Sequence, residues 1–288
     1  MIIINKYIVI GNPIKHSISP FIHNNFFNSI KKEDNIYDSL LVENLDKNII
    51  DSFFKEKIKG INVTLPYKID IIKYLYKIDK EALMIGAVNT LKYTKNGYIG
   101  YNTDIYGMED TFLENNVNIK DKTVLIIGAG GSGYTASFMA IKNKAKKIII
   151  ANRTYKNSVN LKEHILNYYK DENIHTISLE NINETKNVDI VINTTTLGFL
   201  EKSEISPLDD SFFKNNKVDF VFDIIYTPLK NKLLKIAENN NIKNTNGFSM
   251  LIYQALKSQE IWQDININLK DKISFKNEML KKYNKLKN

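Results

Sequence analysis

Residues 122–133 read Lys-Thr-Val-Leu-Ile-Ile-Gly-Ala-Gly-Gly-Ser-Gly, and this stretch decides the fold. An apolar run, Val124 to Ile127, stops at Gly128, Ala129, Gly130, Gly131, Ser132 and Gly133, and helix-compatible residues follow from Tyr134 to Lys144. That order is strand, tight turn, helix. In a dinucleotide-binding turn the first glycine permits the turn, the second lets a pyrophosphate approach the backbone, and the third lets strand and helix pack closely. The helix that follows offers free N–H groups and its positive dipole end to the phosphates. Three spaced glycines also serve ordinary turns, so it is the flanking strand and helix that favour a dinucleotide.

The next strand sharpens the reading. Lys147 to Ala151 is short and apolar, and Asn152-Arg153-Thr154 follows it. In an NAD site an Asp or Glu at the end of this strand, about 20 residues past the glycines, accepts from the ribose 2′-OH. Here that position holds Arg153, with no acid beside it. A carboxylate would repel a 2′-phosphate, whereas a guanidinium can fork onto it and Asn152 and Thr154 can donate to it. The chemistry favours NADP over NAD. The plainer reading is a solvated arginine at a strand end.

Further strands are expected at about 174–178, 188–193 and 218–223. Strands alternating with helices imply a parallel sheet with right-handed crossovers, and ligands lie beyond the carboxyl ends of such strands. Two more loops emerge there, Asn193-Thr194-Thr195-Thr196-Leu197-Gly198 and Asp223 to Pro228, the latter carrying Tyr226. From Gly247 a helix runs to about Gln263, past Gln254, with a last helix near 270–284. The chain crosses between domains at 102–122 and again near 240–247.

Upstream, Tyr7 to Gly11 reads as a strand delivering the loop Asn12 to Pro20, with a helix from Phe21 to Ser29. Ser19 suits the N-cap and Pro20 the first turn. Ser17 and Ser19 together could grip a carboxylate. His16 and His23 read as structural. Ile36 to Val42 is a second strand, Leu45 to Lys55 an amphipathic helix, and Gly60 to Pro66 a third strand with Thr64 near its end. Tyr67 to Leu75 reads as a helix with Lys68 in its first turn. A helix N-terminus disfavours positive charge, so a lysine there would be eased toward releasing its proton, though a plain solvated lysine fits equally. Gly86 to Tyr101 holds a hairpin, Val88–Thr94 and Tyr98–Tyr101 around Lys95-Asn96-Gly97. Asp104 then precedes a helix over 105–115, either as its cap or as a carboxylate partner for Lys68.

Composition sets bounds. A chain of 288 residues, 43% apolar and 11% aromatic, builds one large or two modest domains with real cores. The net charge of +8 comes from lysines scattered among acids. That is a solvated surface able to steer anionic ligands, with no basic, aromatic-interleaved groove for nucleic acid. The lysines of 276–287 suit the exposed face of a terminal helix or its frayed tail. There is no cysteine and no zinc-like histidine spacing, so thiol catalysis is excluded, no metal site is expected, and a cytoplasmic protein fits. Met1 to Ile10 is interrupted by Asn5 and Lys6 and lacks a basic leader segment, so it reads as a strand, and no run reaches membrane-spanning length.

With these segments assembled, the chain resembles the shikimate dehydrogenase family nearly end to end. The resemblance rests on Asn12-Pro-Ile-Lys-His-Ser-Ile-Ser-Pro-Phe-Ile-His-Asn24, Gly60-Ile-Asn-Val-Thr-Leu-Pro-Tyr-Lys68, Gly86-Ala-Val-Asn-Thr90, Asn102-Thr-Asp104, the Gly128 turn, Asn152-Arg-Thr154 and Gly247 through Ala255. It departs at Asn193-Thr-Thr-Thr, where the family usually has Asn-Ala-Thr, and in its lysine-rich tail. What it implies is an α/β enzyme of two domains. Residues 1–104, completed by 247–288, would bind substrate, and residues 105–246 would form a Rossmann-type NADP domain. The C-terminal helices would return to the first domain. The enzyme would reduce 3-dehydroshikimate to shikimate with NADPH, in aromatic amino acid biosynthesis, as a monomer or homodimer.

The resemblance also assigns residues. Ser17 and Ser19 would hold the substrate carboxylate with Tyr226 nearby. Thr64, Asn89, Asp104 and Gln254 would bond the ring hydroxyls, and Lys68 with Asp104 would be the catalytic pair. Cofactor contacts would come from Gly128 to Gly133, Asn152, Arg153, Thr154, Thr195 and Gly247. Two alternatives stay open: an NAD-preferring quinate/shikimate dehydrogenase, against which Arg153 speaks, and a non-catalytic nucleotide-binding protein, against which the intact Lys68 and Asp104 speak.

Overall fold

A six-stranded sheet organises the amino-terminal part of the chain. The computed structural model describes residues 4–170 and 173–287, so Met1 to Ile3, which the sequence places at the start of the first strand, lie outside it. The elements are β1 (Asn5–Gly11), α1 (Ser19–Ser29), β2 (Asn35–Leu41), α2 (Lys47–Lys55), β3 (Gly60–Val63), β4 (Lys77–Ile78), α3 (Lys80–Ile85), β5 (Thr90–Thr94), β6 (Gly97–Tyr101) and α4 (Asp104–Glu114). The strand order is β2-β1-β3-β5-β6-β4. β1 lies parallel to β2 and β3, while β3–β5 and β5–β6 are antiparallel. Residues Ile8, Ile10, Ile61, Val63 and Leu91 of the strands pack with Ile50 and Phe53 of α2. The three-residue spacing of Ile50 and Phe53 puts both on one helix face, and Asp46 caps that helix by accepting from the Ile49 N–H at 2.9 Å.

Several local expectations change. Tyr67 to Leu75 is not an α-helix: a turn over residues 65–69 leads into a 3-10 helix, Asp70–Tyr74. The Lys68 carbonyl accepts from the Val88 N–H at 2.7 Å, so it is taken by the neighbouring segment and cannot serve a helical ladder. The helix-dipole argument for Lys68 therefore falls. Ser19 is the first residue of α1 and not its cap, and the Ser17 Oγ accepts from the Ser19 N–H at 3.3 Å. In the hairpin Thr94 pairs with Gly97, so the two-residue tip is Lys95-Asn96. Gly97 opens the returning strand at φ +136°, a value L side chains rarely adopt.

The second sheet comprises β7 (Thr123–Ile127), α5 (Gly131–Lys142), β8 (Lys147–Asn152), α6 (Tyr155–Leu166), β9 (Ile174–Ser178), β10 (Ile190–Asn193), α7 (Asp210–Asn215), β11 (Phe220–Asp223), α8 (Lys232–Asn239) and β12 (Lys243–Thr245). All its pairings are parallel, in the order β12-β11-β10-β7-β8-β9. This is the doubly wound order, reversing between β7 and β10, where such sheets bind their ligands. Every residue of β7 is buried, as a central strand covered on both faces requires.

The chain then adds α9 (Phe248–Gln263) and α10 (Leu269–Lys287). Two units result, Met1–Gly107 with Ile252–Asn288, and Met108–Leu251. Trp262 of α9 lies against Gly60 of β3, so close that a Cβ at Gly60 would sit 2.3 Å from its ring, and its Nε1 donates to the Leu91 carbonyl at 2.9 Å. That contact seats the C-terminal helix on the first sheet. Among the described residues no helix is long and apolar enough to cross a membrane.

Candidate active site

In the first unit, topology brings four separate segments to one end of the sheet. β1 and β3 are parallel with Ile10 beside Val63, so the loops that follow them leave together. They are tied by the Asn12 N–H donating to the Leu65 carbonyl at 2.9 Å. β5 runs against β3, so Asn89, just before it, lies at the same end, where its carbonyl accepts from the Val63 N–H at 2.8 Å. β6 returns to that end and delivers Asn102-Thr103-Asp104. The Asn102 Oδ1 accepts from the Ile105 N–H at 3.2 Å and so does the capping, which leaves the Asp104 carboxylate to other partners.

Those partners are Lys68 and Asn89. The Lys68 Nζ donates to Asp104 Oδ2 at 2.6 Å, with side chains 16% and 6% exposed. The Asn89 Nδ2 donates to Asp104 Oδ1 at 2.8 Å. The Asn89 amide is itself oriented, because its Oδ1 accepts from the Thr103 N–H at 2.7 Å. Gln254 of α9 joins them, its Oε1 lying 3.3 Å from Asn89 Nδ2. An amine and a carboxyl group held this way, mostly shielded from water, have the contact that passing a proton requires. Thr64 is half-buried, its methyl set against the Gly11 backbone, where a Cβ would come within 2.5 Å. Ser17 is half-exposed, whereas Ser19 is buried and its hydroxyl bonds Tyr37.

The second unit holds the glycine turn, and its three spaced glycines stand there for three different reasons. Gly128 has φ +110°, the conformation the sharp exit from β7 needs. A Cβ on Gly133 would meet the Gly128 carbonyl oxygen at 2.2 Å, so α5 can approach β7 only without a side chain there. A Cβ on Gly130 would have nothing within 4 Å. That open space is a cradle a phosphate can enter. Helix α5 starts at Gly131 with no side chain capping it, so its first N–H groups face the same side. Asn152 braces the turn, its Oδ1 accepting from the Ala129 N–H at 3.2 Å.

Arg153 and Thr154 follow, both exposed, and Thr154 does not use its side chain to cap α6. Arg153 is the only arginine in the chain. The residues present fit a dinucleotide carrying a 2′-phosphate. The Thr195 hydroxyl is turned into its own loop, donating to Asn193 Oδ1 at 2.7 Å and accepting from the Leu197 N–H at 3.1 Å. Gly247 has a packing role, since a Cβ there would lie 1.8 Å from the Ile224 carbonyl oxygen. Tyr226 is half-buried on the loop after β11 in this same unit.

Of two buried titratable groups, Asp223 receives no role from the sequence and His23 reads as structural. Asp223, at the end of β11, is pushed up to about 6 by burial, against the opposing hydrogen bonds from Asn231, the Ile225 N–H and Asn193. His23 is held down at about 3 by burial and stacks on Tyr37 at 4.1 Å, a neutral ring in the core. Asn62, Thr90 and Ser258 are buried polar groups behind the Lys68–Asp104 pair that the sequence reading left unassigned. The available signal was a polar residue inside the apolar strand Ile61-Asn62-Val63, because a buried amide needs partners.

Known proteins resemble this chain along most of its length. Residues 9–91 match the family model for the shikimate dehydrogenase substrate binding domain, and residues 111–228 that for shikimate/quinate 5-dehydrogenase. A shikimate dehydrogenase (NADP(+)) of Clostridium beijerinckii is 39% identical over 267 residues, covering 92% of this chain and 94% of the relative. The crystal structure of shikimate dehydrogenase 1 from Peptoclostridium difficile superposes with a TM-score of 0.85 at 31% identity, over 97% of this chain and 99% of that one. The Thermus thermophilus shikimate 5-dehydrogenase in complex with NADP(H) and shikimate superposes with a TM-score of 0.81 at 25% identity, over 96% and 99%. By sequence along nearly its whole length and by the fold of both units, the chain belongs to the shikimate dehydrogenase family.

Proposed function

We propose that the protein catalyses the reversible, NADP-dependent interconversion of 3-dehydroshikimate and shikimate. The observation that carries this is the Lys68–Asp104 pair, 2.6 Å apart and braced by Asn89, in a chain of this family. When bound, NADP supplies or takes up the hydride. It would be held by the Gly128–Gly133 turn, with Arg153 and Thr154 facing the 2′-phosphate and Asn152 bracing the turn.

A ketone that receives hydride becomes an alkoxide, which needs a positive charge and a proton. The Lys68 ammonium offers both at that oxygen. Asp104 keeps the ammonium in place, and Asn89 keeps the carboxylate in place. In the reverse direction the pair receives the alcohol's proton, and it is best described as one coupled unit. Ser17, Ser19 and Tyr226 are assigned to the substrate carboxylate by the family resemblance. Thr64, Asn89 and Gln254 serve the ring hydroxyls. Thr195 and Gly247 complete the cofactor side. The lack of cysteine suits work in the cytoplasm.

The test is absorbance at the reduced-nicotinamide band, with purified protein, shikimate or quinate, and NADP or NAD. Reduction of NADP with shikimate alone is expected. Strong NAD activity would overturn the specificity assigned to Arg153, and quinate turnover would overturn the restriction to shikimate. Silence in every combination would overturn the enzymatic reading.

A further inference from the structure

Behind the Lys68–Asp104 pair lies a buried knot of polar side chains with Ser258 at its centre. Ser258 is on α9, one helical turn past Gln254, and is fully buried. Its Oγ donates to the Gln254 carbonyl at 3.0 Å. It lies 3.1 Å from Asn62 Nδ2, 2.9 Å from Thr90 Oγ1 and 3.2 Å from Thr103 Oγ1. These partners come from β3, β5 and the β6–α4 connection, so one hydroxyl joins α9 to two strands and a connection of the site.

The knot reaches the reacting pair in two further bonds. Thr103 and Thr90 both lie on the Asn89 amide, at 3.1 Å and 3.2 Å from its Oδ1. The Asn89 amide in turn donates to Asp104 at 2.8 Å. A hydroxyl has one hydrogen to give and two lone pairs to fill. With the Ser258 hydrogen committed to the Gln254 carbonyl, its oxygen is a pure acceptor toward the site. It can then take a hydrogen from Asn62 and one from a threonine hydroxyl, which leaves the other threonine to donate to Asn89 Oδ1. Deleting it removes an acceptor these buried donors share, and throws their bonds more heavily onto Asn89, whose carbonyl lies 3.2 Å from Asn62 Nδ2 and whose Oδ1 both threonine hydroxyls already reach.

We propose that Ser258 is a positioning residue for the reaction: through Thr90 and Thr103 it sets the Asn89 amide that holds Asp104 against Lys68. This rests on the function proposed above and deepens it, since Ser258 touches neither substrate nor cofactor in this scheme. A proton-transferring pair works only within a narrow geometry, so a small displacement slows the proton step more than it weakens binding.

The experiment compares wild type, Ser258→Ala and Gln263→Ala. Gln263 lies on the same helix and donates to the Tyr7 hydroxyl at 3.0 Å, away from Asn89. Ser258→Ala is expected to lower kcat for shikimate oxidation by about tenfold, the loss of one buried hydrogen-bond partner. The KM for NADP is expected to stay within about twofold, because the cofactor residues are in the other unit. The solvent deuterium isotope effect on kcat should rise as the proton step becomes more rate-limiting. A partly unfolded preparation lowers kcat without changing an isotope effect, so that readout separates positioning from stability. Gln263→Ala should leave both kcat and the isotope effect as in wild type. An active wild type with an unchanged isotope effect in Ser258→Ala would overturn this inference alone. A wild type inactive on shikimate would overturn the proposed function and this inference with it.

Discussion

Adding one methyl group at Gly130 should separate binding from folding. The backbone there has φ −91° and ψ −172°, which alanine adopts freely, and the added Cβ meets no heavy atom within 4 Å. Alanine restricts the unfolded chain, a gain of about 0.4–1 kcal/mol, and is a poorer N-cap than glycine by roughly the same amount. The net change in stability of the free protein is therefore under about 1 kcal/mol. The methyl group instead fills the space a pyrophosphate must enter, so the KM for NADP should rise by about tenfold or more, equivalent to roughly 1.4 kcal/mol. Gly133→Ala is the contrasting control. Its Cβ would lie 2.2 Å from the Gly128 oxygen and 2.9 Å from the Gly128 carbonyl carbon. Those are backbone atoms pinned by the Gly128 N–H donating to the Ala151 carbonyl at 2.8 Å. Relief requires moving α5 away from β7, an overpacking cost of about 1–3 kcal/mol, or a fall in Tm of roughly 2–10 °C. Thermal unfolding without cofactor, paired with initial rates against NADP concentration, reads both effects. A Gly130→Ala protein with a normal KM for NADP would refute the placement of the phosphates. One that melts as early as Gly133→Ala would refute the steric argument.

Other outcomes follow from the site. Lys68→Ala should lower kcat by about two to four orders of magnitude, the range for general acid–base groups, while the dissociation constant for shikimate changes little. A variant with near-normal turnover would remove Lys68 from the chemistry. Because Arg153 is the only arginine, an arginine-directed dicarbonyl such as phenylglyoxal should modify one guanidinium per chain, with NADP protecting and NAD not. Arg153→Asp should raise the KM for NADP by about tenfold or more and leave Tm unchanged, and an unaltered NADP/NAD ratio would disprove the 2′-phosphate contact. Asp223 gives a pH dependence. Its folded value of about 6 exceeds the ordinary 3.8, so its contribution to stability is full below about pH 4 and is lost as pH rises through about 6. The gap corresponds to roughly 3 kcal/mol. Asp223→Asn should flatten that decline in urea unfolding between about pH 4 and pH 7, and parallel pH profiles would contradict it.

The parts of this molecule that were legible in the sequence are those whose cause is local. β7 and β8 are buried on both faces, so they read as uninterrupted apolar runs, and the glycine spacing is fixed by the turn itself. Elements with little to bury left no mark: β4 is two residues long, and β12 is the polar edge triplet Lys-Asn-Thr. Tyr67 to Leu75 has helical composition, but the Lys68 carbonyl is claimed by Val88, twenty residues on, and a distant claim of this kind is invisible to a local reading. Ser258 was unreadable for the same reason in stronger form, since its partner Asn62 lies 196 positions away. Lys68 and Asp104 stood out from their places in the chain as one of two open readings, whereas Asn89 entered only through the resemblance. What the coordinates add is the order in which Asn89 braces Asp104 and Asp104 braces Lys68.

The return of α9 to the first unit also sets a schedule for synthesis. The ribosome releases the chain from its amino terminus, and domains fold as units as they emerge. The strands of the first sheet emerge early, yet Gln254, Ser258 and Trp262 arrive only after the whole second unit has been made. Until then the face of the sheet at Gly60 lacks its indole cover and Asn62 lacks its contact with Ser258. The contiguous second unit can complete its core first, while the Lys68–Asp104 pair gains its last braces only near the end of translation. A chain arrested before residue 252 would be a folded nucleotide-binding half joined to an unfinished sheet, inert in the reaction and open to proteolysis.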